Sequence, residues 1–355
     1  MTGSGFIYTG HPSRVVFGFG TTAALPDEMA RLGTRRALIL TTPAQEAQGQ
    51  RLADLLGEAT VGVFAGAVMH TPVDVSDLAA DRARQLKADV VVAIGGGSTT
   101  GLGKAIALRT GLPQIILPTT YAGSEMTPIL GETSGGQKRT QTTPKVLPQV
   151  VIYDIDYTLD LPVALSGTSG INAIAHAVEA LYARDTNPVI NLMAVEGIRA
   201  LVRALPAISS DPHNRTARAD ALYGAWLCGI CLGSVGMALH HKLCHTLGGT
   251  FDLPHAETHT LMLPHALAYN APAIPEAMAL LRTVLGHDPA QALYALGHAV
   301  GAPTSLGALG MPETGIPRAV DLALANPYWN PRPLERDALT ALITRAHTGA
   351  APIPG

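Results

Sequence analysis

The sequence predicts an α/β nucleotide-binding domain with a mostly parallel sheet, followed by an all-α domain. Three observations carry this. Short β-rich runs alternate with helix-like runs between residues 36 and 154. Those β-rich runs are apolar along their length, as strands covered on both faces are. Beyond about Leu159 no convincing strand remains, and long apolar helical segments take over. The domains are therefore placed at 1–158 and 159–355, with the active site expected in the cleft between them.

Each element follows in order. RALILTT (36–42) reads as a strand and PAQEAQGQRLADLLGE (43–58) as a helix. TVGVF (60–64) is a second strand. TPVDVSDLAADRARQLKA (71–88) is a helix, with Asp74 and Ser76 as candidate caps. DVVVAIGGGS (89–98) is a third strand running into a glycine turn, and TGLGKAIALRT (100–110) continues as a helix. PQIILPTT (113–120) and QVVIYD (149–154) are the fourth and fifth strands. FGFG (17–20) reads as a plain turn. Residues 121–148, rich in Gly, Thr, Ser and Pro, read as a loop or hairpin insertion. In the second domain 165–183, 187–208 and 215–249 read as helices.

The totals narrow the function classes. A chain of 355 residues with 47% hydrophobic and 14% charged residues has ample material for two cores. A net charge of −3 with no basic run excludes nucleic acid and anionic membrane as natural partners. The N-terminus lacks the pattern of a signal peptide, and no run of about 18 apolar residues offers a membrane span. Cys228, Cys231 and Cys244 are an odd, small set, which points to a reducing cytoplasm. Cys228 and Cys231 form C-x-x-C, but no second pair completes a zinc site, so they read as buried helix cysteines.

Three stretches bear chemistry. In AIGGGSTTGLGK (93–104) three glycines end a strand and a helix follows, so backbone N–H groups can approach a phosphate. In LPTTYAGSEMTP (117–128), Thr119, Thr120, Tyr121, Ser124 and Glu125 sit just beyond a strand's carboxyl end, where ligands of open α/β sheets lie. In the helical domain Asn172 and His176 are four apart, as are His241 and His245, with His255 ten residues on. That spacing puts each pair on one helix face. Five such groups in an apolar domain read as one shared site.

Taken together, GGGS, PTT, the polar-xxx-His pair and His-xxx-His with a further histidine resemble the iron-dependent alcohol dehydrogenases. The resemblance covers nearly the whole chain and implies a dehydroquinate synthase-like fold. In that family one Asp and three His hold a divalent metal. The matching positions are Asn172, His176, His241 and His255, while His245 matches a histidine near the nicotinamide that is not a ligand. An amide at the carboxylate position removes the only anionic donor. PTTYAGSEMTP, SGINAIAHAVEALYA and HHKLCHTLGGTFDLPHAETHT are similar to one branch, the maleylacetate reductases, which implies that no metal is needed.

The resemblance implies NADH- or NADPH-dependent reduction of the conjugated double bond of maleylacetate to 3-oxoadipate, in the catabolism of aromatic compounds. The substrate is then a small dicarboxylate and the enzyme a homodimer. His241, His245 and His255 are expected as donor and acid groups, His176 and Asn172 as the rest of the polar wall, and Tyr121 as a second acid candidate. Gly96, Gly97 and Ser98 are expected at the pyrophosphate, Thr119 and Thr120 along the nucleotide, and Lys138 near the nicotinamide ribose. Thr41 and Thr42 follow the first strand with no acid before Glu46, so nothing repels a 2′-phosphate. The family's Asp after GGGS is Gly101 here. Lys242 and Arg332 are the cations considered for the substrate carboxylates, each also readable as solvated surface charge. The alternatives are a metal-dependent alcohol or polyol dehydrogenase of the same superfamily, a lyase of the shared fold, and an inactive nucleotide sensor.

Overall fold

The computed structural model describes residues 5–135 and 137–353, the side chains of 137 and 138 excepted. The chain forms two compact units. Gly10–Leu161 is one; residues 162–353, with 5–9, are the other.

The first unit runs β1 (Arg14–Gly18), α1 (Leu25–Arg31), β2 (Ala37–Leu40), α2 (Glu46–Leu56), β3 (Thr60–Phe64), α3 (Val73–Gln85), β4 (Val90–Gly95), α4 (Gly97–Thr110), β5 (Gln114–Pro118), β6 (Ile129–Ser134), β7 (Gln137–Thr142) and β8 (Val150–Asp154). Six strands form one sheet in the order β1-β8-β5-β4-β2-β3, every pair parallel. The strand side chains divide between two faces with a period of two. Ile39, Val90, Val92, Ile94, Ile115, Leu117 and Ile152 pack with Leu25, Met29 and Leu52 of α1 and α2. Leu38, Leu40, Val91, Ala93 and Ile116 pack with Ala79, Ala80 and Ala83 of α3 and with Leu102 and Ile106 of α4. Full burial of each large aliphatic side chain is worth roughly 1.5–3 kcal/mol. Both faces are covered, so the central strands carry unbroken apolar runs.

The five expected strands are present as β2, β3, β4, β5 and β8. The sixth, β1, corrects the first half of FGFG from turn to strand, and the turn is confined to Phe19 and Gly20. Phe17 and Gly18 close that strand, and the Gly20 N–H donates to Asp154 and Asp156, at 3.0 Å to each. α4 begins at Gly97, three residues ahead of the expected start. The insertion at 121–148 contains the antiparallel hairpin β6–β7. Neither Asp74 nor Ser76 caps α3: Pro72 is its N-cap, and the Ser76 hydroxyl donates back to the Pro72 carbonyl at 3.0 Å.

The second unit runs α5 (Val163–Ala180), α6 (Pro188–Ser210), α7 (Arg215–Ser234), α8 (Leu239–Phe251), α9 (His255–Asn270), α10 (Pro275–Leu285), α11 (Pro289–Ala299), α12 (Ile316–Ala325) and α13 (Arg336–Thr348). No strand occurs in it among the described residues. α5 is buried from Ser166 to Ala180 and packs against α6, α7 and α9.

The expected single helix over 215–249 is in fact α7 and α8, bent by 95° at residues 235–238. Extended backbone at Val235 breaks the ladder. The amides freed by the break find distant carboxylates. Gly236 N–H donates to Asp185 at 3.0 Å, Ala238 N–H to Glu179 at 2.8 Å, and His240 N–H to Glu179 at 2.7 Å. Unpaired N–H groups at a helix start need such partners, and a negative group suits that end of the dipole. No single described helix is long and apolar enough to cross a membrane.

Candidate active site

In the first unit, β4 ends at Gly95 and Gly96 is the N-cap of α4, with no side chain capping it. The amides of the first turn are therefore available to an anion. Gly95 has φ +151°, and a Cβ there would lie 2.4 Å from Thr99 Oγ1. Gly97 is exposed, and a Cβ on it would meet nothing within 4 Å, which leaves room for a ligand over the turn. Gln45 ties the surrounding threonines together. Its Nε2 donates to Thr119 Oγ1 at 3.0 Å, and its Oε1 accepts from Thr42 Oγ1 at 3.2 Å. Thr120 flanks Gly96. Gly96, Gly97, Ser98, Thr42, Thr119 and Thr120 are thus gathered at the carboxyl ends of β2, β4 and β5, and this cradle fits a dinucleotide phosphate.

Lys138 is on β7, in register with Thr133; its side chain lies outside the described residues. Gly101 packs closely against Thr71: a Cβ at Gly101 would lie 2.4 Å from Thr71 Oγ1. Thr71 itself sits at φ +45°, strained for a β-branched residue.

The loop after β5 is fastened from below. Lys104 is buried, and its Nζ donates to Ser124 O at 2.6 Å, Thr127 O at 2.7 Å, and Thr127 Oγ1 and Ile129 O at 2.9 Å. Burial pushes its pKa down to about 7, opposed by nearby Glu125. Glu125 is also buried and accepts from Tyr153 Oη at 2.7 Å. Tyr121, the second acid candidate, is fully buried in this unit. Lys104→Met, which deletes the ammonium and strands those acceptors, is expected to cost about 3 kcal/mol of stability. Denaturant titration checks this: the midpoint should drop with the slope unchanged, and an unshifted midpoint would refute it.

In the second unit three helices bring eight polar groups together. α5 supplies Asn172, His176 and Glu179; α8 supplies His240, His241 and His245; α9 supplies His255 and His259. Asn172, His176, Glu179, His240, His241 and His259 are all buried, while His245 is partly and His255 largely open to solvent. The His241 ring centroid lies 5.2 Å from His176 and from His240, 5.0 Å from His259 and 6.0 Å from His245. His255 lies 4.3 Å from His259 and stacks with His245 at 6.5 Å. His245 Nδ1 pairs with Tyr328 Oη at 3.1 Å. The five expected groups thus lie on the three helices of one imidazole cluster. Sequence reading missed His259, His240 and Glu179. His259 follows His255 by four, the same spacing signal as the other pairs. Glu179 is one helical turn beyond His176 and looks like an ordinary surface acid until the fold buries it.

Four buried atoms of the cluster have no hydrogen-bond partner among the described residues: Asn172 Oδ1, His176 Nδ1, His241 Nε2 and His259 Nε2. Unsatisfied polar atoms at this density mark a ligand surface rather than a core. Burial, reinforced by the neighbouring imidazoles, holds His176, His240 and His259 well below the usual histidine range. His240 Nε2 and His259 Nδ1 share a hydrogen bond of 3.0 Å. Glu179 Oε2 accepts from His241 Nδ1 at 2.7 Å.

The position that holds the family's carboxylate ligand carries a neutral amide here, Asn172. Among the described residues, His240, Cys244 and His259 are the one group of three His, Cys, Asp or Glu whose donor atoms fall within 4.8 Å of one another. His176, His241 and His255 are not that group, and Asn172 adds a neutral oxygen. Cys244, Cys228 and Cys231 are buried, with thiols pushed up by burial, Cys231 to about 12, so they are no reactive pair. Arg332 lies over the Tyr269 ring at 4.2 Å and donates to Tyr269 O at 2.8 Å, which gives it a structural task. Lys242 Nζ stands 5.8 Å from the Tyr328 ring centroid.

A parallel sheet with a glycine-rich strand-to-helix turn, joined in one chain to a helical unit with a buried imidazole cluster, defines a two-unit dehydrogenase. Residues 12–155 match the family described as iron-containing alcohol dehydrogenase, and residues 166–347 match its C-terminal part. The chain belongs to the iron-containing alcohol dehydrogenase family. It is 55% identical to the maleylacetate reductase of Rhizobium sp. (strain MTP-10005), over 98% of this chain and 99% of that protein. It is 56% identical to the maleylacetate reductase of Sphingobium indicum, with the same coverage. Among solved structures, maleylacetate reductase from Agrobacterium tumefaciens superposes with a TM-score of 0.95 at 54% identity, covering 98% of this chain and all (100%) of that one. A 1,3-propanediol oxidoreductase superposes with a TM-score of 0.90 at 26% identity, covering 97% and 100%.

Proposed function

We propose that this enzyme reduces the conjugated carbon–carbon double bond of maleylacetate, giving 3-oxoadipate, with NADH or NADPH and without a metal. The observation that carries the reading is the near-full-length identity of about 55% to proteins bearing the name maleylacetate reductase. The geometry agrees with the chemistry. A bound reduced nicotinamide supplies hydride to the alkene carbon β to the ketone. The alkene electron pair then moves to the ketone oxygen as an enolate, and the α carbon takes a proton to restore the ketone.

The chain's own groups serve each need. The α4 N-terminus with Gly96, Gly97 and Ser98 holds the pyrophosphate, and Thr42, Thr119 and Thr120 line the nucleotide. Thr41 is buried and the first acid after β2, Glu46, is exposed, so no carboxylate stands to repel a 2′-phosphate. With Nδ1 fixed on Glu179, His241 serves the enolate through Nε2: the imidazolium donates the Nε2 proton and is left neutral, with its lone pair on Nε2. His176 and His259 add two further nitrogens that no group of the described residues occupies. Because enolate charge is delocalised, oriented imidazole donors can stabilise it without a Lewis acid.

One observation favours the second reading, a metal-dependent alcohol or polyol dehydrogenase: an imidazole with one nitrogen on a carboxylate and the other bare also resembles a metal-bound histidine. A single assay separates the two. Maleylacetate should oxidise either reduced cofactor one-for-one, unchanged by a chelator that leaves metal well below one equivalent. The NADH-to-NADPH preference should stay under about 100-fold, or roughly 2.7 kcal/mol. Activity lost to chelation and restored by a divalent ion would establish the second reading.

A further inference from the structure

We infer that Glu179 is a positioning residue that fixes the tautomer and aim of His241. Three close donors converge on this fully buried carboxylate, and Tyr182 Oη adds a longer contact to Oε1 at 3.5 Å. Ala238 N–H and His241 Nδ1 meet Oε2 at 2.8 and 2.7 Å, and His240 N–H meets Oε1 at 2.7 Å. The two amides come from the N-cap and first turn of α8, so they set the carboxylate's plane independently of the imidazole. With Oε2 held there, the neutral His241 ring has one favoured tautomer: the proton stays on Nδ1 and the lone pair on Nε2. Nε2 is the nitrogen that no atom of the described residues engages. Glu179 thus decides which nitrogen faces the ligand, in the manner of a carboxylate behind a catalytic imidazole. No side chain in the sequence reading held this role.

The inference rests on the proposed reductase reading, so its test begins with an enzyme shown to turn over maleylacetate. Glu179→Gln retains shape but keeps only one oxygen, so it cannot accept from both His240 N–H and the Oε2 donors. It should lower kcat on the order of 100-fold while leaving the KM for NADH within about 2-fold. The same substitution in a His241→Asn background should cost far less, because its target is gone. The wild-type enzyme supplies a readout that needs no active variant. Histidine ¹⁵N spectra at alkaline pH, with His241 assigned by its substitution, should show the Nδ1–H tautomer. A wild-type Nε2–H tautomer, or an equal loss from Glu179→Gln with and without His241, would overturn the inference. Failure of the wild-type enzyme to reduce maleylacetate would instead strike the functional reading.

Discussion

His241→Asn is expected to lower kcat for maleylacetate reduction about 10³-fold, equivalent to about 4 kcal/mol of transition-state stabilisation. Asparagine keeps a side-chain N–H near the place of Nδ1, so Glu179 retains a donor and the start of α8 keeps its support. What is removed is Nε2, the buried nitrogen with no partner among the described residues. The loss should therefore fall on kcat. The KM for NADH should hold within a few-fold, because the proposed nucleotide cradle is made by the turn from Gly95 to Ser98 and by Thr42, Thr119 and Thr120. Steady-state kinetics with both substrates varied, on protein whose thermal unfolding matches wild type, decides it. A variant that keeps kcat within about 5-fold would remove His241 from the chemistry and pass the role to His245 or His255.

The second large effect is on stability in acid. In an unfolded chain the imidazoles take up protons near pH 6.5. In the folded protein His176, His240 and His259 do so only at much lower pH, chiefly because they are buried. As pH falls below about 6.5 the unfolded state binds more protons than the native state, so stability declines until the native groups also titrate. Each imidazole contributes up to about 1.4 kcal/mol per pH unit, and the three together up to about 4. His265, with a pKa lowered by burial to about 4, acts in the same direction. Thermal unfolding followed from about pH 7 to about pH 5 should show a steep fall in Tm. A flat profile would mean that these rings already carry protons in the native state.

How much could be read from the chain depended on where each element lies. The inner strands announce themselves because burial on both faces demands apolar side chains at consecutive positions, as in VVVAI and QIILP. β1 is an edge strand with one neighbour, β8, and partly exposed side chains, so RVVFG gives a diluted signal. The bend before α8 was hidden for another reason. Its freed amides are met by Asp185 and Glu179, 51 or more residues away in sequence, and local composition cannot report such partners. The histidines were legible through helical periodicity. Glu179 was not, since a glutamate on a helix is ordinarily solvated and only the packed fold reveals its burial. Gly101 was legible as a departure from the family pattern, but its close packing against the hydroxyl of Thr71 was not.

The double duty of Glu179 has a kinetic corollary. The same two oxygens that seat the first amides of α8 also seat the reactive ring, so a molecule with that segment undocked has no oriented donor to offer. During refolding, recovery of turnover should coincide with consolidation of this joint, and partially assembled species should contribute no background rate.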